Sequence, residues 1–214
     1  VAFVRKNNLF SVENGEETQI TVDGEMNKII NGATDWVYEE EFGFDKGFYW
    51  SPNGDRLGFY RMDESEVKEF QMAMYGDLYP EQYKFKYPKA GEKNSDVSIH
   101  VFDFNSGITR LVNTGKEKDI YFPRIQWSLS NDGLCIMRLN RHQNHLEFLL
   151  TDLTQKNLGD IKPSKIYDET SDTYIEINDN LTFMDDNKCF LWNSSKDGYN
   201  HLYLFDTSGK QKAQ

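Results

Sequence analysis

Tyr49-Trp50-Ser51-Pro52-Asn53-Gly54-Asp55-Arg56-Leu57-Gly58-Phe59-Tyr60 reads as a strand, a tight turn and a second strand. Proline presets one backbone angle of the turn and glycine accepts the left-handed one. The pattern returns as Ile125-Gln126-Trp127-Ser128-Leu129-Ser130-Asn131-Asp132-Gly133-Leu134-Cys135-Ile136. It returns again as Leu181-Thr182-Phe183-Met184-Asp185-Asp186-Asn187-Lys188-Cys189-Phe190-Leu191-Trp192. Each copy leads to a further strand that ends near an aspartate and a polar turn, at Asp103, Asp152 and Asp206. Trp127 and Asp152 are 25 residues apart, and Phe183 and Asp206 are 23 apart. Trp50 and Asp103 are 53 apart, which leaves room for an insert of about 28 residues in the first copy.

Antiparallel units repeating at roughly 50 residues are the signature of propeller blades. One such sheet cannot cover both its faces, whereas blade stacked on blade covers them. The expected fold is all-β: a partial β-propeller of four-stranded antiparallel blades. Three fuller blades fall at about 48–115, 120–170 and 174–208, with part of another at 1–22. In that first part the strands are expected at Ala2–Arg5, Leu9–Val12 and Thr18–Val22, joined by Lys6–Asn8 and Glu13–Glu17. An immunoglobulin-like sandwich is the alternative, but it supplies no reason for the repeat. A closed propeller needs more blades than these, so the chain is expected to be a segment of something longer. It opens at Val1 in strand-like alternation, without a signal peptide.

Composition narrows the function classes. The 214 residues hold 24 basic and 35 acidic side chains, a net charge of −11. That balance speaks against a nucleic-acid footprint and against an anionic membrane surface. No apolar run approaches the roughly 18 residues of a membrane span. Cys135 and Cys189 form neither a disulfide framework nor a metal site. Both are expected as buried free thiols at equivalent strand positions of neighbouring repeats. The only glycine pairs with nucleophile-elbow spacing, Gly43/Gly47 and Gly54/Gly58, bracket Asp45 and Arg56 rather than serine. No phosphate-cradling loop is present, so no cofactor is expected. His142 and His145 have metal-ligand spacing without a supporting cluster nearby in sequence, so no metal is expected either.

The connection 23–47 reads as irregular, and a connection that long is usually functional. It contains Asp35-Trp36-Val37-Tyr38-Glu39-Glu40-Glu41-Phe42, three consecutive carboxylates among aromatics. In a helical turn, consecutive side chains point about 100° apart, so two of the three can serve one guest while the third points elsewhere. Two carboxylates offer acceptors only, which suits a guest with several N–H donors and a positive charge. A solvated acidic turn is the alternative, and the flanking Trp36, Tyr38, Phe42 and Phe44 weigh against it. The insert, about 63–94, is rich in aromatics and methionine from Phe70 to Tyr87, where loops are normally polar. Such an arm either packs on its own domain or forms an interface.

Thr34 to Phe42, followed by Trp50-Ser51-Pro52-Asn53-Gly54 and then Tyr87-Pro88-Lys89-Ala90-Gly91, resembles the N-terminal propeller domain of the dipeptidyl peptidase IV family. The bacterial members are the most similar, and the likeness runs along nearly the whole chain. Phe42 and Gly43 depart from the smaller apolar residue that often follows the motif in the family. The resemblance implies a propeller that grips the free α-amine of a peptide through Glu40 and Glu41, with Glu39, Tyr38 and Phe42 in support. It implies that the parent releases N-terminal dipeptides, X-Pro or X-Ala, as a serine peptidase. The catalytic Ser, Asp and His would lie in a C-terminal α/β-hydrolase domain absent from this chain. A family arginine near the substrate carbonyl has no match by motif here and is expected upstream of Val1. The resemblance further implies a homodimer through the arm Phe70 to Tyr87 and a periplasmic or exported location. A non-enzymatic propeller that binds a protein or glycan is the reading of a different class.

Overall fold

The structure, a computed structural model, describes residues 1–154, 159–185 and 187–214. Asp186 of the third repeat and residues 155–158 of the second blade lie outside the described residues. The chain divides into two compact units, 1–48 with 59–97, and 49–58 with 98–214.

Strands β1 (Ala2–Arg5), β2 (Asn8–Glu13) and β3 (Glu16–Gln19) form an antiparallel sheet in that order. The third strand is therefore not at Thr18–Val22. Asn14 and Gly15 have φ of 51° and 87°, and Glu13 pairs Glu16, so the hairpin closes on a two-residue turn. Lys6 and Asn7 do the same between Arg5 and Asn8. Paired positive φ values match the twist of the flanking strands, and asparagine and glycine tolerate them.

Residues 23–47 are not wholly irregular. They contain β4 (Ile29–Asn31) and a helix, α1 (Trp36–Phe42). Then come β5 (Phe48–Trp50), β6 (Arg56–Asp63), β7 (Glu69–Met74), β8 (Glu81–Lys86), β9 (Asp96–Asp103) and β10 (Ile108–Val112). The sheet order is β10-β9-β6-β4, with β5 also pairing β6. β7 and β8 form a separate two-stranded hairpin between β6 and β9, and this is the arm. Its register puts Phe70 opposite Phe85 and Met72 opposite Tyr83, on the face opposite Glu69, Lys86, Gln71 and Lys84. At its tip Tyr75, Leu78 and Tyr79 are exposed.

The next blade is β11 (Ile120–Tyr121), β12 (Ile125–Trp127), β13 (Leu134–Asn140), β14 (His145–Leu150) and β15 (Ser164–Thr170), ordered β11-β13-β14-β15 with β12 on β13. The last is β16 (Thr182–Phe183), β17 (Cys189–Ser194), β18 (His201–Asp206) and β19 (Gln211–Ala213), paired in sequence order. The fold is thus mostly antiparallel sheets of propeller-blade type, matching the repeats.

The repeats coincide bond by bond. The residue after each aromatic anchor donates its N–H five residues on: Ser51 to Arg56, Ser128 to Gly133, Met184 to Cys189, at 2.7–2.9 Å. Phe104, Leu153 and Thr207 likewise donate to Asp55, Asp132 and Lys188, each five residues past its anchor. Trp50, Trp127 and Phe183 are therefore equivalent. The aspartates Asp103, Asp152 and Asp206 each accept backbone N–H groups from the turn that follows, which is why the repeat keeps that residue type there.

The same register separates the cysteines. Trp127 pairs Leu134 and Phe183 pairs Phe190, so Cys135 corresponds to Leu191 and Cys189 to Gly133. Cys135 is buried, and burial pushes its thiol above the ordinary range; Cys189 is only half-buried. The expectation of equivalent, buried thiols is corrected by that two-residue offset.

Within the unit 49–58 with 98–214, the first two repeats interlock. Arg56 donates to Asp103 at 3.1 Å, to Asn131 O at 2.8 Å and to Asp132 at 2.7 Å. Trp127 Nε1 donates to Tyr49 O at 2.9 Å. A Cβ on Gly58 would sit 3.0 Å from the Leu134 side chain, so the glycine permits close approach of the two repeats.

Candidate functional site

The acidic octet folds as a capped helix on a loop with a hydrogen-bonded neck. Gly32 N–H donates to Tyr60 O, Gly47 N–H to Gly32 O, and Tyr60 N–H to Gly47 O, all at 2.9 Å. Thr34 Oγ1 donates to Phe44 O at 2.9 Å above that neck. A Cβ on Gly47 would meet Ala33 O at 3.0 Å, so a glycine fits there.

Asp35 is the N-cap, with extended backbone, and its Oδ1 accepts from Tyr38 N at 3.0 Å. Gly43, at φ 69°, ends the helix in the left-handed conformation. Tyr38 and Phe42, one helical turn apart, form the buried face. The Tyr38 ring meets Phe42, Phe44 and Tyr60 at centroid distances of 5.2, 5.8 and 6.0 Å. These aromatics hold the helix down from beneath. Trp36 lies half out of the surface against Tyr87, 4.3 Å between ring centroids.

That leaves Glu39, Glu40 and Glu41 on the outer surface, all exposed. Glu40 follows the buried face by about 200° and Glu41 by about 300°, so these two neighbours diverge by only about 100°, while Glu39 and Glu41 are about 160° apart. The same angle of about 100° separates Glu39 from Glu40.

Beneath the helix the chemistry differs. Asp35 is buried and its Oδ2 accepts from Ser95 Oγ at 2.6 Å. Burial pushes the Asp35 carboxyl above the ordinary range, against the pull of the Ser95 and Tyr38 donors. Glu64, also buried, is raised to about 7 by burial and then by the like charge of Asp35. Lys86 pulls the other way, while its ammonium donates to Val67 O at 2.8 Å.

Two further features escape the sequence. His145, Glu147 and Asp168 offer ligand atoms within 4.8 Å of one another. Asp168 arrives on β15, opposite Glu147 of β14, so sequence spacing from His142 gave no hint of it. The group is already neutralised: Arg138 bonds Glu147, Lys165 bonds Asp168 and reaches Glu147 at 3.4 Å, and His145 Nε2 lies 3.0 Å from Asp168. Burial raises the Asp168 carboxyl, but Lys165 and His145 outweigh it and hold it below the usual range. His142 is exposed in the preceding turn. Separately, a cavity of about 720 Å³ is lined in part by Glu169, Asn178, Trp192, Ser194 and Lys196. Glu169 is buried there and accepts from Ser194 Oγ at 2.7 Å. None of Glu39, Glu40 and Glu41 lines it.

Blade-type sheets, one of them with a helix inserted between its strands β4 and β5, define the chain as a propeller region. The family follows from comparison: residues 1–214 match the model of the dipeptidyl peptidase IV N-terminal region, and the chain belongs to that family. The crystal structure of Porphyromonas gingivalis dipeptidyl peptidase 4 is similar at 41% identity and a TM-score of 0.89, over 99% of this chain and 30% of that one. A putative dipeptidyl aminopeptidase IV from Bacteroides ovatus superposes with a TM-score of 0.81 at 31% identity, over 97% of this chain and 28% of that one. Dipeptidyl aminopeptidase B of Saccharomyces cerevisiae is 31% identical over 97% of this chain and 27% of its own length. The chain thus spans under a third of the length of these relatives. Its match is to a non-catalytic region, in keeping with the missing nucleophile elbow. No helix among the described residues is long and apolar enough to cross a membrane.

Proposed function

We propose that this chain is the amine-anchoring, access-limiting propeller region of a serine dipeptidyl aminopeptidase that releases X-Pro or X-Ala dipeptides from peptides with a free N-terminus. The family membership over residues 1–214 carries the reading. The exposed Glu40 and Glu41, on a helix capped at both ends, give it a chemical locus. An α-amine with an ordinary pKa of about 7.7–8.0 is mostly charged near neutrality. Charge-assisted hydrogen bonds contribute about 1.5–3 kcal/mol each, so two carboxylates hold an ammonium and reject an acetylated nitrogen. Measuring two residues from that anchor would set the scissile bond before a serine nucleophile in a further α/β-hydrolase domain.

The test is kinetic and uses the full-length protein. Glu40→Gln and Glu41→Gln should each lower kcat/KM on a free-amine Ala-Pro substrate by one or more powers of ten, with an unchanged melting temperature. Normal kcat/KM in both variants returns the octet to a solvated acidic turn. The 214-residue chain by itself should release no chromophore from the same substrate. The apolar face and tip of the arm support self-association of the full-length protein. Replacing Tyr75, Leu78 and Tyr79 with serine should then lower its mass by light scattering, and an unchanged mass removes the arm from the interface. An exported or periplasmic location fits an enzyme acting on free peptides, and fractionation of producing cells checks it.

A further inference from the structure

A helix of seven residues is too short to hold its shape unaided. What orients α1 is therefore the packing of Tyr38 and Phe42 beneath it together with what grips its first turn. Asp35 uses both carboxylate oxygens: one caps Tyr38 N–H, and the other accepts the hydroxyl of Ser95, 60 residues away in sequence. Asp35 N–H meets Met62 Sδ at 3.1 Å, so three sides of the cap residue are fixed.

The partners of this cap have a common origin. The arm leaves the blade after Asp63, the end of β6, and the chain re-enters at Asp96, the start of β9. Glu64 is the first residue of that excursion and Ser95 the last. Both are buried: Ser95 donates a hydrogen bond to the Asp35 carboxylate, and the Asp35 charge helps to raise Glu64. A second link runs through rings. Trp36, the first residue of α1, packs on Tyr87, which packs on Phe70 of the hairpin at 5.5 Å. Tyr87 N–H also donates to Lys68 O at 3.0 Å, at the hairpin's base.

We propose that Asp35 and Ser95 are positioning residues, and that through them the root of the arm fixes the pose in which Glu40 and Glu41 meet a substrate amine. This rests on the amine-binding reading of those two glutamates. The clamp touches no substrate itself. It acts by keeping the first helical turn formed, from which Glu40 and Glu41 project one turn later. Losing the Ser95 hydroxyl leaves a buried carboxylate oxygen without its donor, and the cap is the first structure to loosen.

The experiment compares two substrates in the full-length protein, one with a free terminal amine and one with that amine replaced by hydrogen. Ser95→Ala should lower kcat/KM about tenfold on the first, the scale of one charge-assisted hydrogen bond, and leave the second unchanged. Asp35→Ala should do the same. Asp35→Asn should restore most of the activity, because an amide oxygen still caps Tyr38 and its NH₂ can donate to Ser95 Oγ. Hydrogen exchange of a peptide spanning residues 36–42 should quicken in Ser95→Ala, with the 134–150 strands unaffected. Equal losses on both substrates, or unchanged exchange in α1, overturn the clamp. Unchanged free-amine kinetics in both Glu40→Gln and Glu41→Gln would instead sink the amine reading, while the exchange measurement still decides whether Ser95 holds the helix.

Discussion

Two regions of this chain bury charge, and they do so in opposite ways. At the repeat turn, Arg56 sits between the part-exposed Asp103 and Asp132, a cation shared by two carboxylates, with the Ser106 N–H completing the set at Asp103. Under α1, Asp35 and Glu64 are buried facing like charge, relieved by a serine hydroxyl and by Lys86 nearby. The first arrangement stabilises the fold with opposite signs. The second raises both carboxyls beneath a helix that is capped by Asp35 and packed on Tyr38 and Phe42. The turn that carries the first recurs along the chain, although its arginine does not: Gly133 and Cys189 stand in the equivalent places. Like charges gathered out of water carry a cost in stability that opposite charges do not.

Several measurements can break or sharpen this contrast. The largest separation should come from paired variants of the full-length protein. Glu41→Gln should cost at least tenfold in kcat/KM at constant melting temperature. Arg56→Ala should instead lower stability by about 2–4 kcal/mol, since it strips two partly buried carboxylates and a carbonyl of their donor. It should not alter the ratio between free-amine and des-amino substrates. A change in that ratio would show that the turn and the helix are not separate in function.

The next effect is the opposite response to pH. Burial raises Asp103, but the Ser106 N–H and Arg56 outweigh it and hold the carboxyl below its ordinary value near 3.8. The stability it confers is present above that value and is lost as pH falls through the lower folded one. Glu64 is raised from 4.5 to about 7, so the stability linked to its protonated form is full below 4.5 and is lost as pH rises towards about 7. Hydrogen exchange should therefore quicken in the 51–56 turn first in acid, and in α1 first on the alkaline side. The same direction of change in both regions would refute the contrast.

A smaller shift isolates the acid under the helix. Glu64→Gln should raise the melting temperature by about 3–6 °C at pH 8, where the wild-type side chain is charged, and change it little at pH 5. An equal shift at both pH values would mean that packing, rather than charge, sets the cost.

The contrast also explains what could be read from the sequence. Trp50, Trp127 and Phe183 announce themselves because each begins the same five-residue turn, and a turn closed by local hydrogen bonds writes its register into local sequence. The cysteines show the limit of that reading: both closely follow a turn, yet Cys189 stands where the second copy has Gly133, two residues before the counterpart of Cys135. β4 was missed because three residues are too few to show alternation. Trp36–Phe42 was legible as an acidic and aromatic turn, and its Asp35 cap fits the N-cap rule. Ser95 was not, because nothing local links it to a residue 60 positions earlier. Asp168 beside His145 is invisible for the same reason, since cross-strand partners are set by pairing and not by spacing.

The arm's root has a consequence for chain architecture. Its excursion starts at the end of β6 and finishes at the start of β9, neighbouring strands of one sheet, so the two ends of a long insertion are held together whatever lies between them. Closing a loop between ends already adjacent costs only about 0.6 kcal/mol for each doubling of its length. The hairpin is therefore an interchangeable attachment: shortened, lengthened or exchanged for another module, it would leave the register of β6 and β9 untouched. Ser95, whose hydroxyl donates to Asp35, is the contact that any such exchange must keep.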